Sequence, residues 1–376
     1  MINFLPTEHH KRIFKDINPS LRWDLKKPID LHRLECEKRL RELLCINQLE
    51  KCDADIQILE NKEINGVKSI RFALQTEAGY YASCYLALPL SYSEKEATLC
   101  EKSNTLPKKN DTLCENLSAL LEGVRLPSEK KLPLCVCLQG HVSGAHLSLG
   151  IEKFEYDSTY LREDGVDFCL QAVKNGFAGL AIEQRGFGEN GGDPDKGYTK
   201  CAHTAMSALL MGRTLLGERV WDVMRVVDGV LENFGDYVTM DGSVLMGMSG
   251  GGTVTYYTAC LDSRFEVYVP GVALCTFEDS IVEIEHCVCN YVPNMAKYFD
   301  MSDLAVLVAP KKLVVVSGKT DRWFPLKGAK GAFEKIKETY SALGCEENCV
   351  QVVGNGGHSF FVNEAWEAIN RLLKQN

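Results

Sequence analysis

Nucleophilic catalysis at neutral pH needs a hydroxyl or thiol, a base to take its proton, and a group that orients the base. Three separated stretches of this 376-residue chain offer such groups. Gly247-Met248-Ser249-Gly250-Gly251 has the G-x-S-x-G pattern, directly after the apolar run Ser243–Met246. A serine at so sharp a strand-to-helix turn needs neighbours without side chains, and Gly247 and Gly251 give that clearance. Its backbone is then strained by about 1–3 kcal/mol. The N-terminus of the helix expected from about Gly252 directs free N–H groups at a developing oxyanion. The bland alternative is a tight or phosphate-binding turn, and the lysine of a P-loop is absent from it.

Among the eight histidines, His358 stands out because Gly354-Asn-Gly-Gly-His358 directly follows the last apolar run. A loop after a parallel strand lies at the same sheet edge as the serine turn, which makes His358 the candidate base. Asp321, in Ser317-Gly-Lys-Thr-Asp321, follows the penultimate run and is the candidate orienting acid. Glu278 and Asp279 are its rivals, although an acidic pair there also reads as the N-terminal charge of a helix. Gln139-Gly140-His141 follows the first run of the alternating region. Gly140 permits close backbone approach, so the N–H groups of His141 and Gly250 are the candidate oxyanion donors. The imidazole of His141 could instead contact substrate or simply pack.

These residues need a frame. Short apolar runs alternate with helical segments: Leu134–Leu138, Ala178–Glu183, Ser243–Met246, Val267–Leu274, Leu313–Ser317 and Val350–Val353. Continuous apolar strands separated by helices imply a parallel sheet covered on both faces. The helices are expected at Thr204–Phe234, with a break at Gly212 or Gly217, at Lys327–Leu343 and at Asn363–Lys374. Upstream, Asp30–Leu49 has helical periodicity, while Ile56–Glu60, Lys68–Gln75 and Tyr80–Leu90 have strand character, with Asn65-Gly66 as a turn. The fold class is therefore α/β: a mostly parallel, doubly wound sheet with an N-terminal antiparallel extension. Residues 1–30 read as an irregular lead-in, 1–55 as a helical lead-in to a domain spanning 56–376, and 91–131 as a polar surface insertion in that domain.

Composition narrows the function. The formal net charge is −9 and no dense basic tract occurs, which argues against nucleic acid and anionic membranes as partners. No run approaches the ~18 apolar residues of a membrane span. With no signal-like N-terminal segment, the expected compartment is the cytoplasm. The 16 cysteines form no C-x-x-C pair and several lie in apolar runs, so reduced, buried thiols are expected. His286-Cys287-Val-Cys289 has poor spacing for zinc and no second ligand pair nearby in sequence, so the expectation is no metal and no cofactor.

Taken together, the stretches resemble the α/β-hydrolase superfamily, and within it the acetyl xylan esterase, cephalosporin C deacetylase and dienelactone hydrolase-like esterases. Gln139-Gly140-His141 with Gly144 looks like that group's H-G-x oxyanion loop, with Gln139 in place of the usual histidine. Glu183-Gln-Arg185-Gly186-Phe-Gly188 looks like its D-x-R-G-x-G strand end, and Gly217–Asp228 like the helix before the elbow strand. GMSGGG, SGKTD and GNGGH complete the likeness, which covers about residues 130–376. The order Ser249, Asp321, His358 is the order of that superfamily. The resemblance implies a carboxyl-ester hydrolase with Ser249 as nucleophile, His358 as base and Asp321 as acid, acting on a small-molecule or carbohydrate ester without a cofactor. It leaves room for a homo-oligomer. Arg185, Asp222 and Arg225 are expected to form a buried ion-pair network that braces the elbow rather than to bind substrate. A peptidase or acyltransferase on the same fold, or a hydrolase-like binding protein without activity, are the competing readings.

Overall fold

The computed structural model describes residues 4–24, 28–90, 131–191 and 200–375 of the chain. Most of the 91–131 insertion expected from the sequence therefore lies outside the described residues. Among the described residues nine strands form one sheet: β1 (Gln57–Ile64), β2 (Val67–Glu77), β3 (Tyr80–Pro89), β4 (Leu132–Leu138), β5 (Ala178–Ile182), β6 (Val238–Met248), β7 (Val267–Gly271), β8 (Lys312–Gly318) and β9 (Cys349–Gly354). Their spatial order is β1-β2-β3-β5-β4-β6-β7-β8-β9. The first three pair antiparallel, and β3 meets β5 antiparallel. From β5 onward every pairing is parallel. This is the parallel sheet with an antiparallel edge that the alternation predicts.

Strand periodicity divides the core between the two sheet faces. In β4, Leu134, Val136 and Leu138 join one apolar cluster, while Cys135 and Cys137 join the other. The cysteines fill space there as small apolar groups, and all described cysteines are free. The first cluster packs under α2 (Ile29–Leu43), α5 (Leu215–Phe234), α6 (Gly250–Leu261) and α7 (Leu326–Ala342). The second packs under α3 (Phe168–Lys174) and α8 (Val362–Leu373).

Two local readings differ from the structure and a third, the helical break at Gly212 or Gly217, is narrowed to the first of its two positions. Residues 1–30 are not wholly irregular: Pro6–Lys15 forms α1, a mostly polar helix that buries none of its residues and whose large apolar side chains, Ile13 and Phe14, stand together near its end. The first strand runs on to Ile64, because a sheet-edge strand has only one partner and tolerates the polar stretch Glu60–Glu63. The segment from Cys201 to Phe234 is two helices, α4 (Cys201–Leu210) and α5. The break falls at Gly212, with φ +74°, and Thr214 caps the second helix through the Gly217 N–H at 3.1 Å. Gly217 is no breaker. A Cβ there would sit 1.8 Å from the Leu44 carbonyl oxygen, so it gives the end of α2 clearance to reach α5.

Candidate active site

Ser249 stands between β6 and α6 with φ 55° and ψ −118°, a region that few residues with a side chain occupy. Its N–H donates to Gly271 O at 2.8 Å, and its C=O accepts the Thr253 N–H at 2.9 Å, which fixes the strained residue from both sides. The flanking glycines are steric requirements. A Cβ on Gly247 would lie 2.5 Å from the Gly251 carbonyl group, and one on Gly251 would lie 2.1 Å from Leu138 O. Gly252 serves a different neighbour. A Cβ there would meet Gly271 O at 2.5 Å and Ala273 Cβ at 2.8 Å, so it lets α6 lie against the end of β7.

His358 and Asp321 project from the loops after β9 and β8. His358 Nδ1 lies 2.8 Å from Asp321 Oδ2. Asp321 Oδ1 accepts the N–H groups of Trp323 at 2.8 Å and Phe324 at 3.1 Å. The carboxylate side chain is fully buried and the imidazole is 22% exposed, so the pair opens to solvent only on the histidine side. Phe324 stacks on the His358 ring with centroids 6.0 Å apart. The rival Asp279 instead closes a local turn, accepting the Thr276 hydroxyl at 2.7 Å.

Ser249 and His358 line one cavity of about 350 Å³ together with Gly140, His141 and Gly250. Gly140 backs directly onto the serine: a Cβ there would lie 3.0 Å from Ser249 Cβ. Among the described residues, no acceptor pairs with the backbone N–H of His141 or of Gly250. Gln139, which stands where the resembled family has histidine, is buried and ties the loop down. Its amide donates to Ser148 Oγ at 2.8 Å and to Val166 O at 2.6 Å. Gln184 donates its amide to the Gln139 carbonyl.

A second Ser-His-Asp cluster sits in the same loop. Ser143 Oγ donates to Asp157 Oδ1 at 2.5 Å, and His146 Nε2 lies 3.0 Å from Asp157 Oδ2. All three residues are buried, and the carboxylate also accepts the N–H groups of Lys153 and Phe154. With no route for substrate, this cluster holds the loop rather than reacting. Nearby, burial raises the Glu183 carboxyl to about 7, and Glu183 accepts the Ala145 N–H at 2.9 Å.

Arg185 and Asp222 pair as two parallel hydrogen bonds of 2.7 and 2.8 Å. Thr76 donates to the same carboxylate at 2.6 Å, and Glu77 lies 3.0 Å from the Arg185 guanidinium. Burial alone would lower the Arg185 pKa, but the Asp222 carboxylate raises it above the ordinary value. Arg225 does not join this network. One helical turn further along α5, it meets Asp228 of the same helix at 2.5 Å and Cys52 O of the N-terminal segment at 2.9 Å.

The fold also alters the expectation about metal ligands. Cys201 of α4 and His141 come up beside Cys287 and Cys289, with one ligand atom from each of the four within 4.8 Å of the others. His286 points elsewhere, to Ser280 Oγ at 3.0 Å and Trp323 O at 3.1 Å. Neither Cys201 nor the intervening Arg219 stands out in sequence. Only an apolar run and a helix motif surround them, and their partners are far away along the chain.

The sheet order, the elbow after β6 and the loops after β8 and β9 define an α/β-hydrolase fold. No protein-family model matches the chain. Over 255 residues, 66% of this chain and 81% of the relative, it is 28% identical to the Bacillus subtilis (strain 168) protein named "Putative hydrolase YtaP". It superposes on the crystal structure of "a putative acetyl xylan esterase" from Bacteroides fragilis NCTC 9343 with a TM-score of 0.69 at 12% identity, covering 96% of this chain and 84% of that one. On "Glucuronoyl Esterase from Solibacter usitatus" the TM-score is 0.60 at 13% identity, covering 95% and 97%. Among the described residues no helix is long and apolar enough to cross a membrane.

Proposed function

We propose that the protein is a serine carboxyl-ester hydrolase. The observation that carries this reading is the strained Ser249 opening into the same cavity as the Asp321-bound His358. His358 Nε2 takes the Ser249 proton as Oγ attacks the ester carbonyl. The tetrahedral oxyanion is held by the His141 N–H in the loop after β4 and the Gly250 N–H at the start of α6. Asp321 fixes the imidazole through Nδ1 and stabilises its positive charge, and His358 then protonates the leaving alcohol. Water, activated by His358, cleaves the acyl-enzyme. No step needs a metal or an organic cofactor.

The cavity walls favour an uncharged ester. Asp164 and Glu285 line it, and no lysine or arginine does among the described residues, so an anionic substrate would meet repulsion. Burial raises the Asp164 carboxyl above its ordinary value. Tyr160, Trp323 and Phe324 give the cavity aromatic walls, and a sugar ring packs well on such faces. This supports an acylated carbohydrate or a small neutral ester, in line with the names of the esterases that share the fold. The free cysteines fit a reducing compartment, the cytoplasm.

p-Nitrophenyl acetate hydrolysis by the wild type, Ser249→Ala and His358→Ala tests this reading. Turnover by the wild type alone supports it; equal turnover by all three proteins removes it. A panel of acetylated sugars against peptide amides then separates esterase from peptidase.

A further inference from the structure

We propose that Cys201, Cys287, Cys289 and His141 bind one zinc ion at the edge of the active-site cavity. Three sulfurs and one imidazole nitrogen are the donor set of a closed, structural zinc site. In a tetrahedral Zn–S site the ligand atoms stand roughly 3.8 Å apart. Here Cys201 Sγ and Cys287 Sγ are 3.3 Å apart, Cys289 Sγ and His141 Nε2 are 3.5 Å apart, and the whole set lies within 4.8 Å. Small side-chain rotations would centre an ion among them.

A second observation points to negative charge at the same place. Arg219 is among the largest fully buried side chains, and among the described residues no carboxylate pairs with it. Its guanidinium donates to Arg185 O at 2.9 and 2.7 Å, lies over the Phe187 ring at 4.0 Å, and donates to Cys201 Sγ at 3.2 Å. A buried guanidinium with only carbonyl, ring and thiol neighbours is poorly compensated. Three thiolates, one imidazole and Zn²⁺ carry one net negative charge, which Arg219 neutralises. Binding releases the three thiol protons to solvent. Thiolate softness favours zinc over magnesium or calcium, and a four-ligand shell leaves no open position for chemistry.

The ion would join three parts of the chain that are distant in sequence: the loop after β4, the start of α4 and the 287–289 turn. Because His141 supplies both a ligand nitrogen and a backbone N–H at the cavity, the ion would hold the oxyanion loop in place. That consequence rests on the proposed esterase reading; the site itself does not.

The test is metal analysis of the full-length protein purified without chelators, with cobalt substitution as the second measurement. About one zinc per chain is expected, released by an organomercurial that blocks thiols, and retained far less in Cys201→Ser and Cys289→Ser. Cobalt added to the stripped wild type should give thiolate-to-metal charge-transfer bands and the strong visible bands of a tetrahedral site. Wild-type protein that holds no zinc and gives no such cobalt spectrum overturns the proposal. So does a Cys201–Cys287 disulfide in protein prepared under reducing conditions. Zinc without ester hydrolysis leaves the site standing and removes the enzymatic reading; hydrolysis by a chain that takes up neither metal does the reverse.

Discussion

The Asp321 carboxylate divides its two oxygens between a histidine and the backbone. Oδ2 lies 2.8 Å from His358 Nδ1, while Oδ1 accepts the Trp323 and Phe324 N–H groups at 2.8 and 3.1 Å. The backbone bonds hold the carboxylate in place, and in the proposed mechanism it leaves His358 Nε2 as the proton acceptor. Asp321→Asn should therefore lower kcat by roughly 10³–10⁴-fold on p-nitrophenyl acetate with little change in KM. Asp279→Asn should stay within a few-fold of the wild type. The reverse ranking would move the acid to Asp279.

The bidentate Arg185–Asp222 pair leads us to propose that Asp222 supports the fold rather than the chemistry. Asp222→Ala leaves the buried Arg185 charge without its bidentate partner, and breaking such a pair costs about 3–5 kcal/mol. Urea denaturation should show that loss, with turnover of the remaining folded protein near that of the wild type. A purely kinetic defect at unchanged stability would contradict the bracing role.

Glu183 sets a pH dependence of stability. Its carboxyl is raised to about 7 in the fold, against an ordinary value of 4.5. Between those values the folded chain keeps a proton that the unfolded chain has released. Stability therefore falls as pH rises from about 4.5 to 7 and then levels off, by a total of about 3 kcal/mol from this group. Glu183→Gln should flatten that part of a urea-midpoint profile. An unchanged slope would place the titration elsewhere.

Gly252→Ala tests the contact between α6 and β7. The added methyl would lie 2.5 Å from Gly271 O, and such overpacking costs roughly 1–3 kcal/mol. A lower melting temperature is expected, with reduced turnover because α6 carries the Gly250 N–H. Unchanged melting would mean that the helix shifts freely.

Local chemistry makes the sheet and the placement of the candidate residues on it legible in the sequence. Ser249, Asp321 and His358 each follow an apolar run, and parallel strands must place such loops at one sheet edge. Gly247 and Gly251 are demanded by the turn itself. What the sequence hides are contacts across the fold. Cys201 meets Cys287 across 86 positions and Cys289 meets His141 across 148, separations at which spacing rules carry no signal. Arg225 shows the opposite failure: it neighbours Asp222 on α5, yet faces Asp228 and Cys52. The function of Gly252 also becomes visible only once β7 is seen beside the helix.

Covalent labelling of Ser249 tests the central claim most directly. The protein should be treated with a fluorophosphonate and its intact mass measured, followed by peptide mapping. The account predicts a single adduct on the peptide that contains Ser249, absent from Ser249→Ala and strongly slowed in His358→Ala. A wild-type protein that stays unmodified, or carries its adduct on another residue, would contradict it.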